Sequence, residues 1–462
     1  MIHALSPGLR LDAPVIGGKA HGLVTLMRLG LPVPPGFVLP TTFGRPAPDS
    51  PAGASPLPVD GLAGAAPLPV DGLAGAAPLP VDGLAGAAPL PVDGLAEAVR
   101  ELETACGRRF GDPARPLFVS VRSGAAVSMP GMMDTVLNVG SADALDAAVR
   151  QVFASWNTPR AITYRELHGI PHDTGTAVVV QAMVFGDRDD RSGSGVAFSR
   201  DPSTGERQPY GDVLYRRQGD AVVSGTVPTL PLDTLATRSP AVWAELLDAL
   251  DRVERHYRDV CHVEFTVESG RLWLLQVRPG GLSGRAAVRV AVDLVDERLI
   301  DRATALRRIT PAHLAAATVP RIRATAGLTR GLGASPGVAT GRVAVTADSA
   351  VRMASGGPVV LVRPHTSPLD MHGLAAAAGI LTTTGGLTSH AAVVARSMGK
   401  PAVVAATALS VGAGHLVADG RTFPEGTLIT IDGSGGDVVL GAAETVAGDG
   451  DPHLSRLLSW TS

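Results

Sequence analysis

The stretch GILTTTGGLTSHAAVVARSMG, residues 379–399, constrains the fold of this chain more than any other. Its apolar start predicts a buried strand, the paired glycines a tight turn, and the small apolar residues after them a helix. Thr388 or Ser389 is the expected N-cap of that helix, and Gly399 its stop. The pattern therefore predicts a compact domain of β and α elements, with His390 at the N-terminus of a helix.

The position of His390 gives its imidazole an unusual environment. The N-terminus of a helix offers free N–H groups and a positive dipole, which suit a phosphate carried on the ring. The same dipole disfavours protonation of the ring and keeps its nitrogen nucleophilic. A structural histidine beside a helix cap is the alternative interpretation, and the residue alone does not decide between the two.

Composition excludes several classes of protein. The chain has 462 residues and a formal net charge of −3, so no broad basic surface is expected for nucleic acid or an anionic membrane. Its cysteines, Cys106 and Cys261, show no metal-ligand spacing and fit a reducing compartment. The N-terminus lacks the pattern of a secretory signal, and no apolar run is long enough to span a bilayer. A cytoplasmic protein with neither nucleic-acid nor membrane partners is predicted.

An internal repeat interrupts the first part of the chain. The unit PLPVDGLAGAA begins at Pro56 and recurs twice, and a fourth copy begins at Pro89. A small solenoid is one reading, but a unit so rich in proline, glycine and alanine buries little apolar surface. A flexible, partly polyproline-like insert is the better prediction.

Changes in residue composition and periodicity divide the chain into segments. Short strand-like runs alternate with helices up to about residue 285, an Arg/Ala-rich helical stretch follows, and Val/Gly-rich strands begin at Gly331. The predicted segments are 1–285 with the insert at 51–95, a helical linker at 286–330, a small domain at 331–442 and a C-terminal tail at 443–462.

Two long motifs resemble the enzymes that use or make phosphoenolpyruvate. Residues 363–404 resemble their phosphohistidine swivel domain over its full length. The run SVRSGAAVSMPGMMDTVLNVG, residues 120–140, resembles the nucleotide-binding domain of the pyruvate, phosphate dikinase branch. Shorter matches at GGKAHGL, GLPVPPGF, SWNTPRAITYRELHGIP and GVAFSRDPSTGE agree with this. The resemblance implies a multidomain α/β and α+β chain, with an ATP-grasp-type nucleotide-binding domain followed by a small β/α swivel domain.

The resemblance also implies roles for individual residues. His390 matches the residue that is phosphorylated and carried between distant sites. The matching phosphate-binding cations are Lys19, Arg122 and Arg278, and the positions that bind Mg²⁺ and ATP are Glu264 and Gln276. These last two residues lie on two strand-like runs that we expect to pair as a hairpin. Considered one at a time, these residues also fit ordinary structural roles. Lys19 fits a solvated lysine, Arg122 a surface ion pair, Glu264 a charge at a strand edge and Gln276 an amide satisfied within a sheet.

Thr388 matches a threonine that a regulatory kinase modifies in plant enzymes, and a plain N-cap is an equally good interpretation of it. The Gly/Ser-rich run 193–206 is a weak candidate for packing on phosphates.

Some positions depart from the family. His262 stands where an acidic residue usually precedes the metal-binding glutamate by two positions, which would weaken a two-Mg²⁺ site or shift its metal preference. Arg216 and Arg217 add charge where small or amide groups are expected. Dikinases continue into a (β/α)₈ barrel that binds pyruvate and phosphoenolpyruvate, and nothing after Gly441 resembles one.

The predicted function is the nucleotide half-reaction of a dikinase. ATP would phosphorylate His390 in the presence of phosphate, giving AMP and pyrophosphate, and pyruvate would be reached only through a separate barrel protein. One alternative is transfer to another small molecule or protein. Another, from a different class, is a degenerate regulatory ATP-binding module. The sequence leaves open whether the chain forms a homodimer.

Overall fold

A computed structural model gives the fold of most of the chain. It describes residues 1–43, 94–127, 129, 131–219, 222, 227, 229–282, 284–318, 321–323, 327–387, 389–446 and 451–461. The predicted repeat insert, apart from its last two residues, and Thr388 lie outside the described residues. The remainder forms a mixed α/β structure with several sheets.

The N-terminal unit, the described part of residues 1–282, contains two five-stranded antiparallel sheets. The first has the order β1–β2–β5–β3–β4, and the second the order β10–β9–β6–β7–β8. The strands of the first sheet are β1 (His3–Ala4), β2 (Gly36–Leu39), β3 (Val119–Ala125), β4 (Thr135–Val139) and β5 (Thr176–Ala182). Those of the second are β6 (Gly193–Phe198), β7 (Tyr210–Tyr215), β8 (Leu230–Pro231), β9 (Cys261–Glu268) and β10 (Arg271–Pro279).

Helices cover these sheets because their apolar residues recur at helical spacing. They are α1 (Ala13–Arg28), α2 (Leu95–Cys106), α3 (Ala142–Ala154), α4 (Pro159–Leu167), α5 (Thr234–Arg238) and α6 (Pro240–Tyr257). Leu23 of α1 and Leu246 of α6 are fully buried in one core with Phe265 of β9. A second core lies between β3, β5, α2 and α3. Helix α6 starts at Pro240, directly after Ser239, and proline suits the first turn because no N–H is needed there.

Three helices and a short strand connect this unit to the next. They are α7 (Gly284–Asp296), α8 (Arg302–Arg308), α9 (Pro311–Ala317) and β11 (Arg321–Ile322). All of them fall within or beside the stretch that the sequence predicts to be a helical linker.

The C-terminal unit, residues 327–440 as described, is built on an eight-stranded sheet of order β12–β22–β21–β14–β15–β16–β17–β13. Its strands are β12 (Thr329–Arg330), β13 (Leu332–Ser335), β14 (Val338–Ala344), β15 (Val359–Arg363), β16 (Gly379–Thr382), β17 (Ala402–Val404), β21 (Leu428–Asp432) and β22 (Asp437–Leu440). A meander of β18 (Leu409–Gly412), β19 (His415–Ala418) and β20 (Arg421–Pro424) accompanies it. β14 to β17 are parallel neighbours, and helices α10 (Ala347–Ala354), α11 (Met371–Ala376) and α12 (His390–Ser397) join them.

The chain then returns to the connecting helices. β23 (Thr445–Val446) pairs with β11, and α13 (Pro452–Leu458) packs on α7. Arg456 of α13 donates to Asp296 at 2.7 Å, and Arg285 donates to Asp451 at 2.9 Å. The segment predicted to be a tail therefore contains a strand and a helix held against α7.

A buried arginine fastens α7 to the N-terminal unit. Arg200, which follows β6, is 0% exposed, and its Nη2 donates to Glu254 of α6 at 2.7 Å and to Glu297, just after α7, at 2.8 Å. In the described part of the chain, Arg200 supplies the nearest positive charge to both carboxylates, whereas Arg207 approaches Glu297 only to 3.9 Å.

We expect Arg200→Met to lower the free energy of unfolding by about 3 kcal/mol, because it leaves partly buried carboxylates without their cation. Urea denaturation followed by circular dichroism measures this. Arg207→Met is the matched control: Arg207 is 57% exposed and lies 3.9 Å from the same Glu297. We expect it to change stability by less than about 0.5 kcal/mol. Equal losses in the two variants would contradict this account of Arg200.

Among the described residues, every helix is too short or too polar to cross a membrane.

Candidate active site

The turn near the start of α1 fixes the position of Lys19. Gly17 has a φ of +77°, and a Cβ on it would lie 1.6 Å from the carbonyl oxygen of Gly124 in β3. Only glycine permits this close approach of α1 to β3. Lys19 is partly buried there, and burial is the main cause of its lowered pKa of about 7. The charged groups that also act on this pKa are Arg122, Arg278 and Glu264.

Arg122 lies in the middle of β3 and joins the two sheets of the N-terminal unit. Its Nη2 donates to Oε1 of Gln181 on the neighbouring strand at 2.5 Å and to the carbonyl oxygen of Leu275 in β10 at 3.0 Å. Its Nε is buried and has no hydrogen-bond partner in the described part of the chain. Burial lowers the pKa of this guanidinium, and Glu264 opposes that effect. An unpaired donor on a buried cation suits an anionic ligand.

The hairpin β9–β10 carries the remaining predicted residues on one face. Glu264 pairs with Gln276, and His262 pairs with Arg278, across the two strands. A bulge between Leu274 and Gln276 shifts the register there. Arg278 Nη2 lies 4.0 Å from Oε1 of Glu264. The pairing of the two strands as a hairpin, predicted from sequence, is confirmed.

Glu264 is the shared neighbour of this cluster. Burial alone would raise its pKa, but four nearby groups together lower it. In order of effect they are Arg278, His262, Lys19 and Arg122. Residues from α1, β3, β9 and β10 thus meet at one carboxylate, with three cations around it. Such an excess of positive charge fits a polyphosphate better than a neutral ligand.

The donors available to a divalent cation are few. In the portion of the chain that the structure describes, no group of three or more His, Cys, Asp or Glu side chains is placed to hold a metal. The Glu264 carboxylate and the Gln276 amide are the oxygen donors, and they are cross-strand partners. They fit a Mg²⁺ ion that completes its shell with water and with the phosphate oxygens of a ligand.

His390 is the first residue of α12, as predicted, and Ser389 precedes it as the N-cap. The ring is only 8% exposed, and its Nδ1 lies 3.0 Å from the hydroxyl of Thr366. Its Nε2 is enclosed with no hydrogen-bond partner among the described residues. Burial lowers the pKa of His390 to about 4, and Asp370 opposes this. A neutral ring whose Nδ1–H donates to Thr366 carries its lone pair on Nε2, the nucleophilic form.

The lowered pKa of His390 predicts how it responds to acid. The unfolded imidazole titrates near 6.5 and the folded one near 4, so the unfolded chain takes up this proton first as the pH falls. The stability that His390 contributes is therefore complete above about pH 6.5 and lost progressively towards pH 4. Histidine NMR shifts, assigned with His390→Asn, measure the titration. A midpoint near 6.5 in the folded protein would contradict this environment.

The N-terminal unit covers Nε2 of His390. Gly131 has a φ of +72°, and a Cβ on it would lie 3.5 Å from His390 Nε2 and 3.2 Å from Pro368. Met132 and Tyr164 are buried in the same cluster as Ala391. Nε2 of His390 therefore faces the segment after β3, which belongs to the run 120–140.

The rest of α12 also lies against the N-terminal unit. Arg396 donates to the carbonyl oxygens of Leu387 and Ala334 at 2.6 and 2.9 Å, and its charge acts on the pKa values of both Tyr210 and His262. Gly386, in the turn before α12, approaches β7 so closely that a Cβ would lie 2.7 Å from a carboxylate oxygen of Asp212. The turn and α12 are thus docked on the sheet that carries Glu264.

Sequence reasoning did not single out several residues of this contact. They are Gly131, Tyr210, Asp212, Thr366 and Arg396. Thr366 and Arg396 both lie within residues 363–404. A search of that segment for hydrogen-bond donors near His390 would have identified them. Gly131 carries no side chain, so no chemical signal marks it.

The structure also describes two other features of the sequence, the added charge at Arg216 and the run 193–206. Arg216 is exposed and pairs with Asp190 at 3.1 Å in solvent, so its charge does not enter the cation cluster. The run proposed to pack on phosphates places Ser203 against Gly333, whose carbonyl oxygen accepts its hydroxyl at 3.1 Å. Gly205 packs on Ala286 of α7. This turn therefore joins the N-terminal unit to the later segments, because its polar groups are already satisfied there.

Comparison with known proteins agrees with both halves of this site. Residues 81–231 match the family model of the pyruvate phosphate dikinase AMP/ATP-binding domain. Residues 356–436 match the model of the PEP-utilising enzyme mobile domain. A solved structure, D-alanyl-alanine synthetase A from Vibrio cholerae, covers 65% of this chain and 66% of its own at 12% identity. Its TM-score of 0.29 is too low to carry an argument about the fold.

Curated relatives extend the likeness over the whole chain. The chain is 36% identical to a pyruvate, phosphate dikinase of Rhizobium meliloti, over 97% of this chain and 58% of that protein. It is 34% identical to a chloroplastic one of Oryza sativa, over 98% and 55%, and 36% identical to one of Clostridium symbiosum, over 79% and 53%. The chain thus spans about half the length of the curated relatives it matches. It belongs to the pyruvate, phosphate dikinase family of PEP-utilising enzymes.

Proposed function

We propose that this chain catalyses the nucleotide half-reaction of a dikinase, with His390 as the carrier of the phosphoryl group. In this proposal the N-terminal unit is an ATP-grasp-type nucleotide-binding domain and the C-terminal unit a phosphohistidine swivel domain. The main support for this proposal is that α12 is docked on the N-terminal unit, where three cations surround Glu264. In this docked position Nε2 of His390 is neutral and has no hydrogen-bond partner among the described residues.

The proposed reaction uses ATP and phosphate as substrates and His390 Nε2 as the nucleophile. ATP and phosphate enter, a nitrogen–phosphorus bond forms between His390 Nε2 and the β-phosphorus, and the bond from that phosphorus to the AMP oxygen breaks. Phosphate attacks the γ-phosphorus, the bond from the γ-phosphorus to the β–γ bridging oxygen breaks, and that oxygen stays on the phosphoryl group of His390. AMP and pyrophosphate then leave. His390 begins neutral with a lone pair on Nε2, so no base is needed to activate it.

Positive charge from different elements stabilises the developing negative charge. Lys19 at the turn of α1, Arg122 in β3 and Arg278 in β10 would each contact phosphate oxygens, as preorganised donors that need little rearrangement. Arg122 presents its planar fork, which matches phosphate geometry in two directions. Burial is the main cause of the pKa of about 7 of Lys19, and the negative charge of bound phosphates would raise that pKa, so binding keeps the amine protonated.

Mg²⁺ would be held by the Glu264 carboxylate and the Gln276 amide, and it would neutralise phosphate charge when bound. Thr366 would hold the ring of His390 in the required tautomer. Gly131 would let the β-phosphorus approach Nε2 without a side chain in the way. Thr388 is proposed as a regulatory position only on its match to the plant enzymes.

The phosphoryl group must then leave His390 for an acceptor. We propose pyruvate, at a (β/α)₈ barrel site, because the relatives that match this chain are pyruvate, phosphate dikinases. That transfer requires the C-terminal unit to undock and turn about the segments that connect it, a hinge motion. We propose a cytoplasmic location, which the use of ATP and the unpaired cysteines Cys106 and Cys261 support.

Product analysis tests the half-reaction. Incubation with ATP, Mg²⁺ and phosphate, followed by anion-exchange separation of the nucleotides, should give AMP and one pyrophosphate per AMP. Both products should fall sharply when phosphate is omitted, because the γ-phosphoryl group then has no acceptor. ADP as the main product, or a rate independent of phosphate, would show an ordinary kinase or ATPase instead.

The close contact at Gly131 gives a second prediction. We expect Gly131→Ala to slow phosphorylation of His390 about tenfold, because a Cβ there displaces the ring from its docked position. Gly111→Ala is the matched control: its φ is also +72°, but nothing lies within 4 Å of the added Cβ. Both variants carry the same backbone strain. Equal rates for the two would contradict a role of the Gly131 contact in positioning His390.

A further inference from the structure

The imidazole of His262 is enclosed beside the proposed metal ligands. It lies on β9 two residues before Glu264 and therefore on the same face of the strand. Its ring stacks on that of Phe198 with centroids 4.6 Å apart and an interplanar angle of 16°. Its Nε2 is buried and has no hydrogen-bond partner in the described ranges of the chain. A buried nitrogen without a partner is costly, so it indicates a ligand group that binds there.

The unpartnered nitrogen is the atom through which an imidazole binds a metal. A ring nitrogen with a lone pair is a usual ligand of divalent transition ions, and Nε2 of His262 makes no hydrogen bond to the described residues. The stack on Phe198 holds the plane of the ring, which limits the directions from which a cation can approach.

We infer that His262 is a nitrogen ligand of the divalent cation that Glu264 and Gln276 hold together with the nucleotide. The site then offers one carboxylate, one amide oxygen and one imidazole, instead of oxygen donors alone. Imidazole favours first-row transition ions over Mg²⁺, which prefers oxygen. This inference rests on the proposed function in one respect: the phosphate oxygens of the nucleotide complete the coordination shell.

The charges around Glu264 set a condition on metal binding. Arg278 lies 4.0 Å from the carboxylate and competes with a cation for it. Lys19 and Arg122 add positive charge nearby. The protein alone therefore holds a divalent cation weakly, and the phosphates must first neutralise these groups. We expect Mn²⁺ to bind only when the nucleotide is present.

Pulsed EPR with Mn²⁺ as the probe tests the inference. The complex contains the full chain, Mn²⁺ and adenosine 5′-(α,β-methylene)triphosphate, whose α–β bridge cannot be cleaved. The wild type should show ¹⁴N coupling that changes to ¹⁵N coupling on labelling with ¹⁵N-histidine. The variant His262→Asp should lose this coupling. The Mg²⁺ needed to displace Mn²⁺ should also fall about tenfold in that variant, by loss of the nitrogen ligand. His415→Asp, in the meander of the C-terminal unit, should retain both properties.

Each result of the EPR experiment either supports or overturns the assignment of His262 as a metal ligand. An absence of histidine coupling in the folded wild type, with Mn²⁺ bound, overturns the inference whether or not a variant folds. An unchanged Mg²⁺ requirement in a folded His262→Asp does the same. If the histidine coupling is present but His390 is never phosphorylated, the metal site stands and the proposed reaction is wrong. If Mn²⁺ fails to bind even with the nucleotide, His262 has only the structural role of stacking on Phe198.

Discussion

His390→Ala is expected to abolish transfer of a phosphoryl group from ATP to this protein. Nε2 of His390 is the nucleophile in the proposed reaction, and alanine leaves no atom that can replace it. The release of AMP coupled to this step should stop as well. Binding of ATP should persist, because the cations that hold the phosphates belong to the N-terminal unit. Acid-labile, base-stable radioactivity on the protein measures the transfer, and equilibrium dialysis measures ATP binding.

A second histidine of the C-terminal unit provides the control. His415, in β19, is partly exposed, and its Nδ1 lies 3.0 Å from the carbonyl oxygen of Ala413. His415→Ala should be labelled as rapidly as the wild type. Circular dichroism should show that both variants are folded. Undiminished labelling of His390→Ala would mean that another group accepts the phosphoryl group, and the assignment would be wrong.

Arg122→Met is expected to lower the rate of His390 phosphorylation by about 10²–10³-fold, the usual cost of removing one preorganised donor from a developing negative charge. Methionine occupies a similar volume but provides no donors. Arg122→Lys should recover part of the rate, because it restores the charge without the planar fork. The loss should appear mainly in kcat, since Lys19 and Arg278 still bind the ground-state phosphates.

Arg122 also ties the two sheets together through Leu275, so a loss of stability must be separated from a loss of catalysis. Arg271→Met is a suitable comparison. Arg271 is the exposed first residue of β10, and its guanidinium carbon lies 4.1 Å from the centre of the Trp273 ring. It should leave kcat unchanged. A loss of kcat in Arg122→Met no larger than its loss of folded protein would contradict a catalytic role.

Local patterns in the sequence predicted local structure well. The apolar run before the paired glycines forms β16, the small residues after His390 form α12, and Gly399 follows the end of that helix with a φ of +62°. The pairing of Glu264 with Gln276 also followed from two alternating strands joined by a short turn. Such features depend on neighbours in sequence, and so periodicity and turn residues reveal them.

The contacts that assemble the site could not be read in the same way. Gly131 meets His390 across more than 250 residues of chain, and Gly386 meets Asp212 across more than 170. Both contacts use glycine, where the missing side chain is the functional property. The convergence of Lys19, Arg122 and Arg278 on Glu264 likewise depends on how α1 and the two sheets pack. Their roles were predicted from the family resemblance, and their proximity comes from the structure.

The central claim is that the β-phosphoryl group of ATP is transferred to His390 while α12 is docked on the N-terminal unit. Parallel incubations with [β-³²P]ATP and [γ-³²P]ATP, in the presence of Mg²⁺ and phosphate, test it most directly. Peptide mapping then locates the label. We predict that the β-label appears on the peptide containing His390, and that the γ-label appears in pyrophosphate and is not retained on the protein. Stable labelling of His390 from the γ-position without the β-position would contradict the claim.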